Sequence, residues 1–115
     1  MYIAALDIGG TKTIVAILDE NGGILIQESF PSIVARYETH LELCVQAMKR
    51  LMHRTELQAE DFAGLGVSLP GIVDNEKGIL LYAPYANWKN MEVAGYLSKN
   101  LGISRVRCEN DVNAC

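Results

Sequence analysis

The chain opens with two apolar, β-branched-rich runs, Tyr2 to Asp7 and Thr13 to Leu18, joined by Ile8-Gly9-Gly10-Thr11-Lys12. That punctuation predicts a β-hairpin. Asp19-Glu20-Asn21-Gly22-Gly23 marks a second turn, and Ile24 to Ser29 supplies a third strand before Pro31 ends the meander. From Tyr37 the period changes. Tyr37, Leu41, Val45, Met48 and Met52 recur at intervals of three and four, the stripe of an amphipathic helix running to about His53. Thr39 and Glu42 have the spacing of a capping box, although the helix can begin a few residues earlier. Ala63 to Leu69 reads as a short buried strand. Gly71 to Asp74 and Gly78 to Tyr82 read as two short strands around a turn at Asn75-Glu76-Lys77. Met91 to Leu101 reads as a second helix, closed by Asn100 and Gly102, and Arg105 to Glu109 as a last strand. The order of elements predicts an α/β fold with a mixed sheet flanked by helices.

Half of the 115 residues are hydrophobic, enough to bury the core these elements need within one ordinary domain. Fourteen acidic residues against ten basic ones leave a net charge of −4. The basic excess that contacts nucleic-acid phosphates or anionic membranes is absent, so neither is an expected partner. No apolar run reaches the roughly 20 residues of a membrane span. Met1-Tyr2-Ile3-Ala4-Ala5-Leu6-Asp7 has no basic stretch ahead of its apolar residues, unlike a signal peptide. Cys44, Cys108 and Cys115 form neither an even set nor a C-x-x-C pair. A reduced, cytoplasmic chain without disulfides or a zinc site of its own is the expectation. The last residues, Glu109-Asn110-Asp111-Val112-Asn113-Ala114-Cys115, read as the start of a helix with no room to form. A piece of a longer protein is therefore expected.

Three segments could carry chemistry. At the hairpin tip, Gly9 and Gly10 let backbone N–H groups approach an anion, Thr11 adds a hydroxyl, and Lys12 adds positive charge. Asp7, at a strand end facing the same space, suits Mg²⁺ held through water. Taken alone, the glycines are more often the mark of an ordinary tight turn with a capping Thr. The spacing is not that of a Walker loop, and Gly64-Leu65-Gly66 lacks the third glycine of a dinucleotide fingerprint. Ser68-Leu69-Pro70-Gly71 turns the chain sharply and exposes backbone groups suited to a polyhydroxylated ligand, or is a simple turn. Asn110 and Asp111 follow a strand end, where open α/β sheets place ligands. They offer hydrogen bonds to hydroxyls and a carboxylate base, or cap the next helix. His40 and His53 lack metal-spaced partners and are expected on the surface. Trp88 fits a buried anchor in a loop, and Cys44 and Cys108 fit core positions.

Together, DIGGTK after the first strand, SLPGIVD mid-chain, the Asn87-Trp88 loop and ENDVNAC after the last strand are more specific than any one of them. In this order they resemble the ROK family (repressors, open reading frames and sugar kinases), which has the actin-like, ribonuclease-H-like ATPase fold. The resemblance covers essentially the whole chain, as the amino-terminal lobe (residues 1–115) of a two-lobed protein. It implies ATP-dependent, glucokinase-like phosphorylation of a hexose or N-acetylhexosamine. Asp7, Gly9, Gly10, Thr11 and Lys12 would hold the ATP phosphates, with Asp7 reaching Mg²⁺ through water. Pro70 and Gly71 would floor the sugar site. Asn110 and Asp111 would contact sugar hydroxyls, with Asp111 the catalytic base. A second phosphate motif, the adenosine site and a structural zinc site would belong to the missing lobe, and the complete protein would be a homo-oligomer. A sugar-sensing repressor domain is the alternative, although only six residues precede Asp7 where repressors carry a helix-turn-helix. The Asn-Asp pair and SLPGIVD argue against an actin-like assembly protein without sugar chemistry.

Overall fold

The computed structural model describes residues 1–33, 35–83 and 88–110. Its main sheet begins with the expected meander: β1 (Tyr2–Ile8), β2 (Lys12–Leu18) and β3 (Ile24–Pro31), paired antiparallel in sequence order. Helix α1 (Tyr37–Thr55) then carries the chain across to β4 (Phe62–Leu69), which lies parallel to β1 on its other side. The last strand, β8 (Val106–Asn110), adds parallel to β4, giving the order β3-β2-β1-β4-β8. Between them, β5 (Ile72–Asp74), β6 (Ile79–Ala83) and β7 (Trp88–Glu92) form a separate antiparallel sheet. Helix α2 (Val93–Leu101) returns the chain to β8.

Burial follows the two-residue strand period. Ala4, Leu6 and Ile8 of β1, and Leu65, Val67 and Leu69 of β4, face the core together with Cys108 of β8. On α1 the buried face comprises His40, Leu41, Cys44, Val45, Ala47, Met48 and Leu51, wider than the stripe the spacing predicts. A helix lying on a sheet covers more than one row of side chains, so Tyr37 and Met52 fall to its margins. Burial pushes the Cys44 thiol up to about 12 and the Cys108 thiol up to about 11, so neither is a thiolate at neutral pH.

Several boundaries depart from expectation. Helix α1 starts at Tyr37 behind an extended Arg36 with no side-chain cap, so Thr39 and Glu42 lie inside it and form no capping box. It ends in a Schellman arrangement: the Glu56 N–H donates to the His53 carbonyl (3.2 Å) and the Leu57 N–H to that of Met52 (3.0 Å). Residues 88–92, read partly as loop and partly as helix, are strand. They pair with β6, Leu80 opposite Met91 and Ala83 opposite Trp88, and Asn90 takes a left-handed φ of 50°. A segment of five residues, Trp-Lys-Asn-Met-Glu, is too short to show a period, and pairing with β6 decided it. The expected end of α2 is observed: Gly102 is left-handed and its N–H donates to the Ser98 carbonyl at 2.9 Å.

Candidate functional site

Strand register places the sequence motifs side by side. Asp7 of β1 is the Cα partner of Ser68 on β4, which in turn partners Glu109 on β8. Leu6, Val67 and Cys108 face the core, so the alternating residues Asp7, Ser68 and Glu109 lie on the opposite sheet face. The carboxyl ends of three parallel strands thus converge on one edge, the position where such sheets take ligands. The glycine turn leaves β1 there, Leu69-Pro70-Gly71 leaves β4, and Asn110 ends β8.

The turn is tight at Gly9. Its N–H donates to the Lys12 carbonyl at 3.0 Å, and a Cβ at Gly9 would stand 2.8 Å from that same oxygen. Glycine is required by this close approach to backbone. Thr11, Lys12 and Asp7 are exposed, so a hydroxyl, an ammonium and a carboxylate border the turn. Glycine backbone, Lys12 and a single carboxylate fit a polyphosphate with a water-held Mg²⁺. Among the described residues no three His, Cys, Asp or Glu side chains gather to cage an ion directly.

Across the edge, the Asn110 side-chain amide donates to the Gly71 carbonyl, tying the end of β8 to the turn after β4. Pro70 is buried, and a Cβ on Gly71 would run into the Tyr82 carbonyl of the small sheet. The Asn75 amide donates to the Cys108 carbonyl at 3.0 Å, a second tie between the β5–β6 turn and β8. The turn at Pro70-Gly71 and the end of β8 at Asn110 therefore lie together at this edge. Asp111 and Asn87 lie outside the described residues.

His40 is not at the surface, correcting the sequence reading. It is fully buried, stacked on Trp88 (centroids 5.6 Å apart) and tilted against Phe30 at 5.7 Å. Trp88 is 1% exposed, a buried anchor as expected, but on a strand. The sequence reading also passed over Thr13 and Ser32, which bond to each other at 2.8 Å behind the glycine turn. Thr13 carried one signal: a polar residue at a position whose neighbours Val15 and Ile17 are all core.

The mixed sheet with its flanking helices matches solved ROK structures of the actin-like ATPase fold. The chain belongs to the ROK family, whose model matches residues 3–115. It is 28% identical to a glucokinase of Thermotoga maritima over 99% of its own length and 35% of that protein. It is 32% identical to an N-acetyl-D-glucosamine kinase of Haemophilus influenzae over 94% of this chain and 34% of that one. A ROK glucokinase of Streptomyces griseus, solved with glucose and AMPPNP, superposes with a TM-score of 0.83 at 24% identity. That match covers 99% of this chain and 34% of that structure and carries the fold. A xylose repressor of Caldicellulosiruptor bescii also matches, at 25% identity over 67% of this chain and 19% of that protein. The chain thus spans about a third of the length of the kinases it matches.

Proposed function

We propose that this chain is the first lobe of an ATP-dependent sugar kinase acting on a hexose or N-acetylhexosamine. The Asp7–Lys12 turn receives the phosphates of ATP, with Asp7 holding Mg²⁺ through water. Pro70 and Gly71 form the sugar floor, Asn110 contacts sugar hydroxyls, and Asp111 is the base. The observation that supports this reading most directly is the Asp7–Ser68–Glu109 row. In that row the Asp7–Lys12 turn and the Asn110–Gly71 contact share one edge of the sheet, which supports assigning them to one cleft.

The chemistry asked of the chain is positioning and proton acceptance. A sugar hydroxyl oxygen bonds to the γ-phosphorus, the bond to the leaving ADP oxygen breaks, and the hydroxyl proton passes to the Asp111 carboxylate. Mg²⁺, when bound, neutralises charge on the phosphates. Lys12 supplies a fixed positive charge beside them, and the turn's backbone N–H groups orient them without bulk.

Transfer in water would lose to hydrolysis unless the cleft is closed, and this lobe is one wall of it. Residues 1–115 alone should give no measurable ATP-dependent phosphorylation of glucose or N-acetylglucosamine. The same residues joined to a second ROK lobe should give it in a coupled ADP-release assay. Turnover by the isolated chain would overturn the two-lobe reading. Sugar binding without turnover in the joined protein would favour the repressor-type sensor, a reading the xylose repressor match keeps in view.

Gly9→Ala tests the turn separately. The added methyl meets backbone rather than a flexible side chain, so the turn must open. KM for ATP should rise about tenfold or more in the joined protein, with KM for sugar little changed. Equal effects on both would make Gly9 a folding residue only.

A further inference from the structure

Behind the glycine turn runs a line of hydrogen bonds whose direction is forced. The Ile33 N–H can only donate, and it donates to His40 Nδ1 at 3.2 Å, so Nδ1 carries no proton. With Nδ1 an acceptor the ring is neutral and its one proton sits on Nε2, and burial, which lowers the His40 pKa, acts in the same direction. Nε2–H donates to Thr13 Oγ1 at 2.8 Å. At the far end the Gly9 carbonyl can only accept, and it accepts from Ser32 Oγ–H at 2.7 Å. Each hydroxyl owns one proton, so the 2.8 Å contact between Thr13 and Ser32 must run from Thr13 to Ser32. The line reads His40 to Thr13 to Ser32 to the Gly9 carbonyl, from helix α1 through β2 to the turn.

Its end point matters because a peptide group is planar and trans. Holding the Gly9 carbonyl toward Ser32 turns the Gly10 N–H, on the opposite edge of the same peptide, away from Ser32. The Ser32 backbone N–H also donates to the Thr11 carbonyl at 2.9 Å, so two of the turn's carbonyls are held by one residue. A backbone donor set for phosphate needs its carbonyls turned back and its N–H groups turned out.

We propose that His40, Thr13 and Ser32 are positioning residues that hold the Asp7–Lys12 turn in the shape that presents the Gly10 N–H to phosphate, while the Gly9 N–H stays bonded to Lys12. The proposal rests on the reading of that turn as the phosphate site. It assigns a task to a histidine that the fold would otherwise replace with an apolar side chain, since an imidazole at 0% exposure is kept only where its polar atoms are used.

The test uses the two-lobed protein, residues 1–115 joined to a second ROK lobe, with Thr13→Val, Thr13→Ser and Ser32→Ala. Valine keeps the shape of threonine and removes the hydroxyl; serine keeps the hydroxyl. Amide exchange at Gly9 and Gly10 by NMR reads the turn, with Leu6 in β1 as the internal control. Thr13→Val and Ser32→Ala should raise exchange at Gly9 about tenfold, the worth of a hydrogen bond, while Leu6 is unmoved. Thr13→Ser should behave as wild type. Ser32 is only half-buried, so Ser32→Ala remains informative if Thr13→Val fails to fold. Wild-type Gly9 exchange in Ser32→Ala would overturn the proposal. A parallel titration with Mg·ATP, followed at the Gly10 and Lys12 amides, should weaken about fivefold or more in Ser32→Ala. If the wild-type two-lobed protein gave no Mg·ATP response, the phosphate reading would fall, while the exchange comparison would still decide the relay.

Discussion

In the two-lobed protein proposed above, Asp111→Asn should leave sugar binding measurable while kcat falls by roughly 10²–10⁴, the usual share of general-base catalysis. A sugar hydroxyl is a poor nucleophile at neutral pH, and a carboxylate in hydrogen-bond reach accepts its proton as the bond to phosphorus forms. Asparagine keeps the size and much of the hydrogen bonding but cannot take the proton. Asp111 follows directly on Asn110, whose amide is bound to the Gly71 carbonyl, so the residue before it is fixed to the sugar floor proposed above. A helix cap predicts the opposite outcome, because asparagine caps about as well as aspartate. Steady-state kinetics and a sugar titration on the one variant separate the two. Near-wild-type kcat would remove Asp111 from the mechanism, and loss of sugar binding together with kcat would make it a binding residue.

What was legible in the sequence was what local chemistry decides. The hairpin with its glycine turn, the helical stripe from Leu41 to Met48 and the Gly102 stop are each written in a few adjacent residues, and each is observed. Of the candidate site, the two turns were legible for the same reason: glycines and a Pro-Gly step mark places where the chain bends tightly at a strand end. What was not legible depends on partners distant in sequence. Residues 88–92 became a strand because β6 offered an edge, with Tyr82 opposite Lys89. His40 reads as a solvated helical residue until β2 supplies Thr13, 27 positions away, and β7 supplies Trp88. A buried polar group is priced by its partners, and no window along the helix contains them. The same limit hid Ser32, which meets the Gly9 carbonyl across 23 positions.

Trp88→Ala should cost about 3–5 kcal/mol, a large part of the roughly 5–15 kcal/mol that holds a domain of this size. Trp88 leads the largest fully buried side chains and belongs to the main core although its strand belongs to the small sheet. Its ring lies against His40 at an interplanar angle of 22°, so it joins β7 to α1. Truncation leaves a void that neither neighbour can fill, since His40 is held at both ring nitrogens by Thr13 and Ile33. Trp88→Phe should be far milder, roughly half the cost or less. The indole Nε1 has no hydrogen-bond partner among the described residues, so phenylalanine gives up volume but no bond seen there. Urea unfolding of the three proteins checks this through the shift in midpoint at constant m. The consequence for function follows from the relay. With the indole gone, His40 loses one wall of its site, and Gly9 amide exchange should rise in Trp88→Ala under fully native conditions. A stability loss below about 1 kcal/mol in Trp88→Ala would mean that the small sheet and α1 are held together by something other than this contact.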